Sequence, residues 1–199
     1  MKNLIITIGR EFGSGGKDVA TELGEILNFP VYDKELLLKA AQDSGFSKTL
    51  FEEHDEKCKV FTFTSMFSQG FGSQNYMNRN ELFLMQSETI KKIAQQGPAI
   101  LVGRCSDYIL RNHKPLLTVF LNAPKEFRIK RIMDSNDLDE AQALDMLKKQ
   151  DKTRQEYYNY FTMRDWGVAS TYDICIDTSL FDIKRTAELI AYIARNLNY

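Results

Sequence analysis

Residues 4–20 read LIITIGREFGSGGKDVA, in which an apolar run, a glycine cluster and an amphipathic run follow one another. The apolar run, residues 4–8, is continuous and rich in β-branched side chains, which is typical of a strand buried on both faces. After the glycines, apolar residues return at helical spacing as Val19, Ala20, Leu23, Ile26 and Leu27. The stretch therefore predicts a strand, a glycine loop and a helix.

The glycine loop has the features that a phosphate chain requires. Glycines let backbone N–H groups approach an anion closely, the loop opens a helix N-terminus, and Lys17 supplies a cation for the outer phosphates. The full pattern GxxxxGK[ST] is broken at both ends, since Glu11 stands five residues before Gly16 and Asp18 replaces the hydroxyl residue that binds magnesium. A glycine-rich turn with a surface lysine is the alternative interpretation.

Further apolar runs predict four more strands, separated by helical patterns. These strands are expected at residues 31–32, 99–103, 116–121 and 172–176. Strands that alternate with helices indicate a parallel α/β sheet covered on both faces. Open sheets of this kind place ligands at the carboxyl ends of their strands. The residues expected to converge there are Gly9, Asp33, Gly103, Arg104 and Asn122.

Arginines near these strand ends are candidates for anion binding. Arg104 follows a buried strand, so its guanidinium should project into the cleft, where its planar fork suits a phosphate; a structural ion pair is the alternative. Arg128 and Arg131 lie three residues apart after Pro124, and their spacing alone favours a solvated basic face.

A charged pair continues an apolar helical stripe near the C-terminal quarter of the chain. Asp137 and Glu140 have the spacing of a capping box and predict a helix start. Asp151 and Arg154 fall on the same side of that helix as its leucines. The two charges should therefore either pair with each other or face a polar ligand pocket.

Two segments follow the second predicted strand. Asp33 is expected to cap a helix that stops at Gly45. Residues 52–80 then mix aromatic and turn residues without a sustained period, which favours a mobile insert on the substrate side. A packed aromatic hairpin is the alternative, because residues 61–64 alternate phenylalanine and threonine.

The composition excludes several classes of protein. The chain has 199 residues, 43% of them hydrophobic, and a formal charge of −1, so neither disorder nor nucleic-acid binding is indicated. Cys58, Cys105 and Cys175 cannot all pair, which favours a reducing compartment. Residues 4–8 are too short for a signal-peptide core, and no run reaches the roughly 20 apolar residues of a membrane helix. A cytoplasmic protein without membrane or nucleic-acid partners is therefore expected.

The motifs together resemble one known family. The resemblance of the chain to this family rests on five motifs: residues 9–17 (GREFGSGGK), 32–36 (YDKEL), 102–107 (VGRCSD), 151–154 (DKTR) and 172–178 (YDICIDT). In this order they resemble the cytidylate kinase-like family of P-loop nucleoside monophosphate kinases. The resemblance implies a three-layer P-loop NTPase fold with a five-stranded parallel sheet. It also implies a single domain over residues 1–199, with a nucleotide-monophosphate subregion at about 35–97 and a lid at about 130–165.

The resemblance assigns roles to residues of this chain. The loop that would hold the ATP phosphates comprises Gly13, Ser14, Gly15, Gly16, Lys17 and Asp18. Arg104 would bind the acceptor phosphate, and Asp151 and Arg154 would lie near the acceptor base and phosphate. Arg131 would meet the transferring phosphoryl group, while Asp33 would touch the acceptor or magnesium; the other metal ligands are not assigned.

The implied activity is transfer of a phosphoryl group from ATP·Mg²⁺ to a nucleoside monophosphate, CMP or dCMP, with Lys17, Arg104 and Arg131 as the catalytic residues. Cys105 stands where an aspartate usually follows the Gly-Arg pair, and Asp107 comes two residues later. A kinase for another small acceptor, or a nucleotide-binding sensor with little turnover, therefore remains an alternative. The oligomeric state is left open.

Overall fold

A parallel sheet lies at the centre of the protein. The computed structural model describes residues 3–33, 35 and 76–197. Within them, the strands are β1 (Ile5–Arg10), β2 (Val31–Tyr32), β3 (Ala99–Val102), β4 (Leu116–Asn122) and β5 (Ile174–Asp177). They pair in the order β2-β3-β1-β4-β5, and all pairings are parallel. The predicted sheet is confirmed.

Helices cover both faces of this sheet. The described helices are α1 (Gly16–Leu27), α2 (Tyr76–Gln96), α3 (Ser106–Ile109), α4 (Lys125–Asn136), α5 (Glu140–Thr162) and α6 (Ile183–Arg195), with a 3-10 helix at Ala169–Thr171. Side chains alternate along β1, so Ile6 and Ile8 pack with α1 and α6, whereas Ile5 packs with α2. All three isoleucines are fully buried. The result is the predicted three-layer α/β fold.

The strand and helix ends differ from the sequence expectations in places. β5 begins at Ile174 rather than at Tyr172 because the Asp173 carboxylate accepts hydrogen bonds from the Thr118 N–H and hydroxyl, both at 2.8 Å. The short helix between β3 and β4 spans Ser106–Ile109. Residues 76–80, expected to be irregular, form the first turns of α2. The helix expected up to Gly45, beyond residue 35, and the insert at residues 52–75 lie outside the described residues.

Helices α4 and α5 form an antiparallel hairpin beyond the sheet, joined by Ile129, Ile132, Ala143 and Leu147. The capping box at its turn is not the predicted one. Asp139 accepts from the Gln142 N–H at 2.8 Å, and the Gln142 side chain accepts from the Asp139 N–H at 3.1 Å. Asp137 instead ends α4 in the left-handed conformation. The Asp137–Glu140 prediction was wrong because two overlapping sequences fit the same pattern.

Candidate active site at the carboxyl edge of the sheet

The loop between β1 and α1 forms a cradle of backbone N–H groups. Gly13 and Gly15 have φ values of 80° and 79°, which other residues rarely adopt. The Ser14 hydroxyl donates to the Glu11 carbonyl at 2.9 Å, and the Thr178 hydroxyl donates to the Ser14 carbonyl at 2.8 Å. Gly15 caps α1 without a side-chain hydrogen bond, so within the described residues no side chain caps the N–H groups of this helix N-terminus. The geometry suits an anion.

The two side chains that follow the cradle lie outside the loop. The Lys17 ammonium lies 3.2 Å from the Asp33 carboxylate, and the two side chains are 70% and 18% exposed. Lys17 and Asp33 are thus brought together, at the mouth of the cleft. Asp18 is exposed in the first turn of α1.

Arg104 occupies a tight turn at the end of β3. Gly103, Arg104 and Cys105 have φ values of 73°, 59° and 56°, three consecutive left-handed residues of which two carry side chains. Such backbone strain persists where the surrounding structure imposes it and is common at functional sites. The Arg104 guanidinium lies 5.5 Å from the centre of the Tyr157 ring. Cys105 is buried, and burial raises the pKa of its thiol.

Asp151 holds the phosphate loop from α5. Its Oδ1 accepts from the Phe12 N–H at 2.7 Å, and its Oδ2 pairs with Arg128. Arg154 does not form an ion pair with the Asp151 carboxylate. Its Nη1 donates to the Arg10 carbonyl at 3.0 Å. Burial lowers the pKa of Arg154 to about 10, against the opposing effect of Asp151. Both charged residues therefore hold the segment around the loop, Asp151 through the Phe12 N–H and Arg154 through the Arg10 carbonyl.

The solvated basic face predicted for α4 is wrong for Arg128, which is buried, and Arg131 is only partly exposed. Arg128 is only 8% exposed, donates to the Ala123 carbonyl at 3.0 Å and lies 3.3 Å from the Glu11 carboxylate. Arg131 lies over the loop, where a Cβ on Gly15 would collide with its Nη1. That Nη1 is buried and has no hydrogen-bond partner among the described residues. Arg131 thus presents an unsatisfied donor at the cradle.

Arg10 is a site residue that was not expected. It ends β1, its stem lies against Gly16, and its guanidinium reaches Gly103. Burial lowers the pKa of Arg10, and repulsion by Arg154 and Arg104 lowers it further. The signal in the sequence was the one that identified Arg104: an arginine at the end of a buried strand.

Of the other expected residues, Gly9 and Asn122 do not line this cluster of arginines. A Cβ on Gly9 would lie 2.8 Å from the Phe120 ring, so Gly9 serves aromatic packing. The Asn122 carbonyl accepts from the Thr178 N–H at 2.9 Å, on the β5 side of the loop. Asp107 accepts from the Tyr158 hydroxyl at 2.7 Å and is thereby tied to α5.

The donor set fits magnesium that arrives with a nucleotide. Mg²⁺ prefers oxygen ligands and is commonly held by one or two carboxylates together with substrate phosphates. Asp33 supplies such a carboxylate beside the loop. Within the described residues, no group of three or more His, Cys, Asp or Glu could hold a metal. In the same part of the chain, no helix is long and apolar enough to cross a membrane.

A parallel sheet in this strand order, with a glycine loop between β1 and α1, defines a P-loop NTPase fold of the kinase type. The family model of the cytidylate kinase-like family matches residues 5–180, and the chain belongs to that family. Membership supports phosphotransferase activity.

Known proteins are similar to the chain in sequence or in fold. The cytidylate kinase of Methanocaldococcus jannaschii is 25% identical over 98% of this chain and 99% of its own length. The crystal structure of an uncharacterized protein from Eubacterium ventriosum is 31% identical and superposes with a TM-score of 0.76, covering 98% of this chain and 99% of that one. A gluconokinase from Sinorhizobium meliloti shares the fold, with 14% identity, a TM-score of 0.55 and coverage of 96% and 93%.

Proposed function

We propose that the protein transfers the γ-phosphoryl group of ATP to a nucleoside monophosphate, CMP or dCMP, and releases the diphosphate. The observation that supports this most directly is the meeting of an open helix N-terminus with Arg104, Arg131 and Arg154 at one edge of the sheet. Phosphoryl transfer needs positioning and neutralisation of charge rather than covalent chemistry by the protein. This edge offers both.

The donor phosphates would lie in the cradle of residues 13–18. The free N–H groups at the start of α1 bind phosphate oxygens, Lys17 adds a positive charge at the mouth, and the unsatisfied Arg131 Nη1 donates to the group in transfer. Magnesium held by the phosphates and Asp33 would neutralise further charge.

The acceptor phosphate would lie beside Arg104 and Arg154. Arg104 lies in the turn that ends β3, and its guanidinium lies over the Tyr157 ring, which limits its rearrangement when the anion binds. Asp151 lies on the helix that also carries Arg154 and fixes the loop through the Phe12 N–H. The same helix, with α4, belongs to the proposed lid at about 130–165, and the acceptor subregion is proposed at about 35–97.

An acceptor panel tests the proposal. Purified protein with ATP and Mg²⁺ is mixed with CMP, dCMP, UMP, AMP, gluconate or shikimate, and ADP release is measured. We expect CMP or dCMP to give the highest kcat/KM. Preference for a non-nucleotide would refute the acceptor assignment, and stabilisation by nucleotides without turnover of any acceptor would favour a sensor.

A further inference from the structure

The side chain of Arg10 passes through a slot between two glycines. A Cβ on Gly16 would lie 2.7 Å from Arg10 Cγ, closer than real Cβ atoms come. At the other end, a Cβ on Gly103 would collide with Arg10 Nη1. Gly16 belongs to the phosphate loop and Gly103 to the Gly-Arg turn. Each glycine thus leaves room for the same arginine.

Two other arginines lie near Arg10, one of them against its backbone. Arg154 Nη1 donates to the Arg10 carbonyl at 3.0 Å, and Arg104 follows Gly103 directly. Both arginines act on Arg10 by repulsion, in addition to its burial. Like charges that converge in a partly buried place cost stability unless an anion lies among them.

The neighbouring carboxylates are engaged with other groups. Asp33 pairs with Lys17 at 3.2 Å, and Asp151 pairs with Arg128. The negative charge of Asp33 raises the pKa of Arg10, and this is the smallest of the effects on that pKa. Within the described residues, Arg10 itself has no ion pair. Its charge is therefore available to a ligand.

We propose that Arg10 binds the phosphate group of the acceptor together with Arg104 and Arg154, through the slot formed by Gly16 and Gly103. The inference rests on the proposed function and adds a residue to its acceptor site. A guanidinium fork donates two parallel N–H groups to two phosphate oxygens, which suits a monophosphate. The guanidinium lies at the end of β3 and not at the N-terminus of α1, so the acceptor is favoured over the donor.

Two substitutions separate the charge of Arg10 from its shape. Arg10→Met keeps an unbranched stem in the slot and removes the charge, whereas Arg10→Lys keeps the charge and removes the fork. Isothermal titration of the full chain with inorganic phosphate, CMP and ATP gives the three affinities. Circular dichroism checks folding, and Arg195→Met is the matched control, since Arg195 donates to the Ile26 carbonyl at the far end of α6.

For Arg10→Met we expect phosphate and CMP to bind at least about tenfold more weakly and ATP to change less than about twofold. Arg10→Lys should recover part of the loss, and Arg195→Met should match the wild type. Unchanged phosphate and CMP affinity in Arg10→Met, a loss confined to ATP, or a wild type that binds neither phosphate nor CMP would overturn the inference.

The binding measurements do not need turnover, so the inference and the proposed function can fail separately. If Arg10→Met loses phosphate binding but no nucleoside monophosphate supports ADP release in the wild type, the proposed acceptor is wrong and the anion site stands. If CMP is phosphorylated with an unchanged KM in Arg10→Met, the anion site is wrong and the kinase proposal stands.

Discussion

The Asp151 carboxylate accepts a hydrogen bond from the backbone N–H of Phe12 at 2.7 Å, across 139 residues of sequence. Its second oxygen pairs with Arg128, which also donates to the Phe12 carbonyl at 3.2 Å. Asp151 and Arg128 thus hold both polar groups of one residue in the phosphate loop. The glycine loop and the helix hairpin of α4 and α5 are therefore one mechanical unit.

Asp151→Asn should loosen that unit without removing the hydrogen bond to Phe12, since an amide oxygen still accepts. The lost charge leaves the buried Arg128 with the Glu11 carboxylate, at 3.3 Å, in place of two carboxylates. We expect a loss of about 2 kcal/mol in the free energy of unfolding, less than for a fully buried pair because Asp151 is 18% exposed. The KM for ATP should rise as well.

Urea unfolding and steady-state kinetics measure the two effects of Asp151→Asn. Asp145→Asn is the control, because Asp145 is exposed on the same helix. If both variants lose the same small amount of stability and keep the wild-type KM for ATP, Asp151 does not brace the loop.

Lys17→Met should remove ADP production almost completely. The ammonium lies at the mouth of the cradle and is the loop's own cation, so we expect kcat/KM to fall by roughly 100- to 1,000-fold. Lys91→Met is the control, since Lys91 pairs with Glu88 at 2.7 Å on the surface of α2. Coupled-enzyme detection of ADP checks both variants. Retention of most activity in Lys17→Met would refute the role of Lys17 in the phosphate loop.

The sheet, the glycine loop and the helices around them could be predicted because their patterns are local. Residues 4–8 form a continuous apolar run and residues 19–27 have helical spacing, so each pattern can be recognised within one short segment. Parallel pairing follows from the alternation of strands and helices. The carboxyl edge of the sheet then locates Arg104 and Asp33. These inferences need no knowledge of side-chain packing.

The remaining part of the site depends on contacts between distant segments. Arg128 looks solvated by its helical spacing, but α5 brings Asp151 onto it. Arg10 is significant only because Gly16 and Gly103 come together around it, and they lie far apart in sequence. The spacing of apolar residues shows which face of a helix is apolar. It does not show which distant segment packs against that face.

Tyr158→Phe should have a pH-dependent effect on stability. Burial raises the pKa of Asp107, and the Tyr158 hydroxyl, which donates to it at 2.7 Å, lowers that pKa. Removing the hydroxyl raises the folded-state pKa of Asp107 further. Between the Asp107 pKa of the folded wild type and that of the folded variant, the variant therefore binds more protons than the wild type. The stability of the variant relative to the wild type then falls as the pH rises through that window.

Unfolding in urea at pH values from 4 to 8 measures this dependence. We expect Tyr158→Phe to lose about 2 kcal/mol at high pH, where a charged acceptor loses its donor, and less at low pH, where protonation of Asp107 removes that charge. Tyr160→Phe, at an exposed tyrosine of the same helix, should show no such slope. A pH-independent loss in Tyr158→Phe would mean that Asp107 does not titrate in this contact.

Arg131→Met should separate activity from stability. The buried Nη1 of Arg131 has no hydrogen-bond partner among the described residues. Its desolvation therefore lowers the stability of the folded protein without a compensating hydrogen bond. Its removal is expected to leave the free energy of unfolding unchanged or to raise it by up to about 1 kcal/mol. In contrast, kcat should fall by roughly 100-fold or more, because the group in transfer loses a positioned donor. Urea unfolding and single-turnover kinetics measure the two quantities, with Lys130→Met as the exposed neighbouring control. A variant that is destabilised and fully active would show that Arg131 serves packing over Gly15 and not the transfer step.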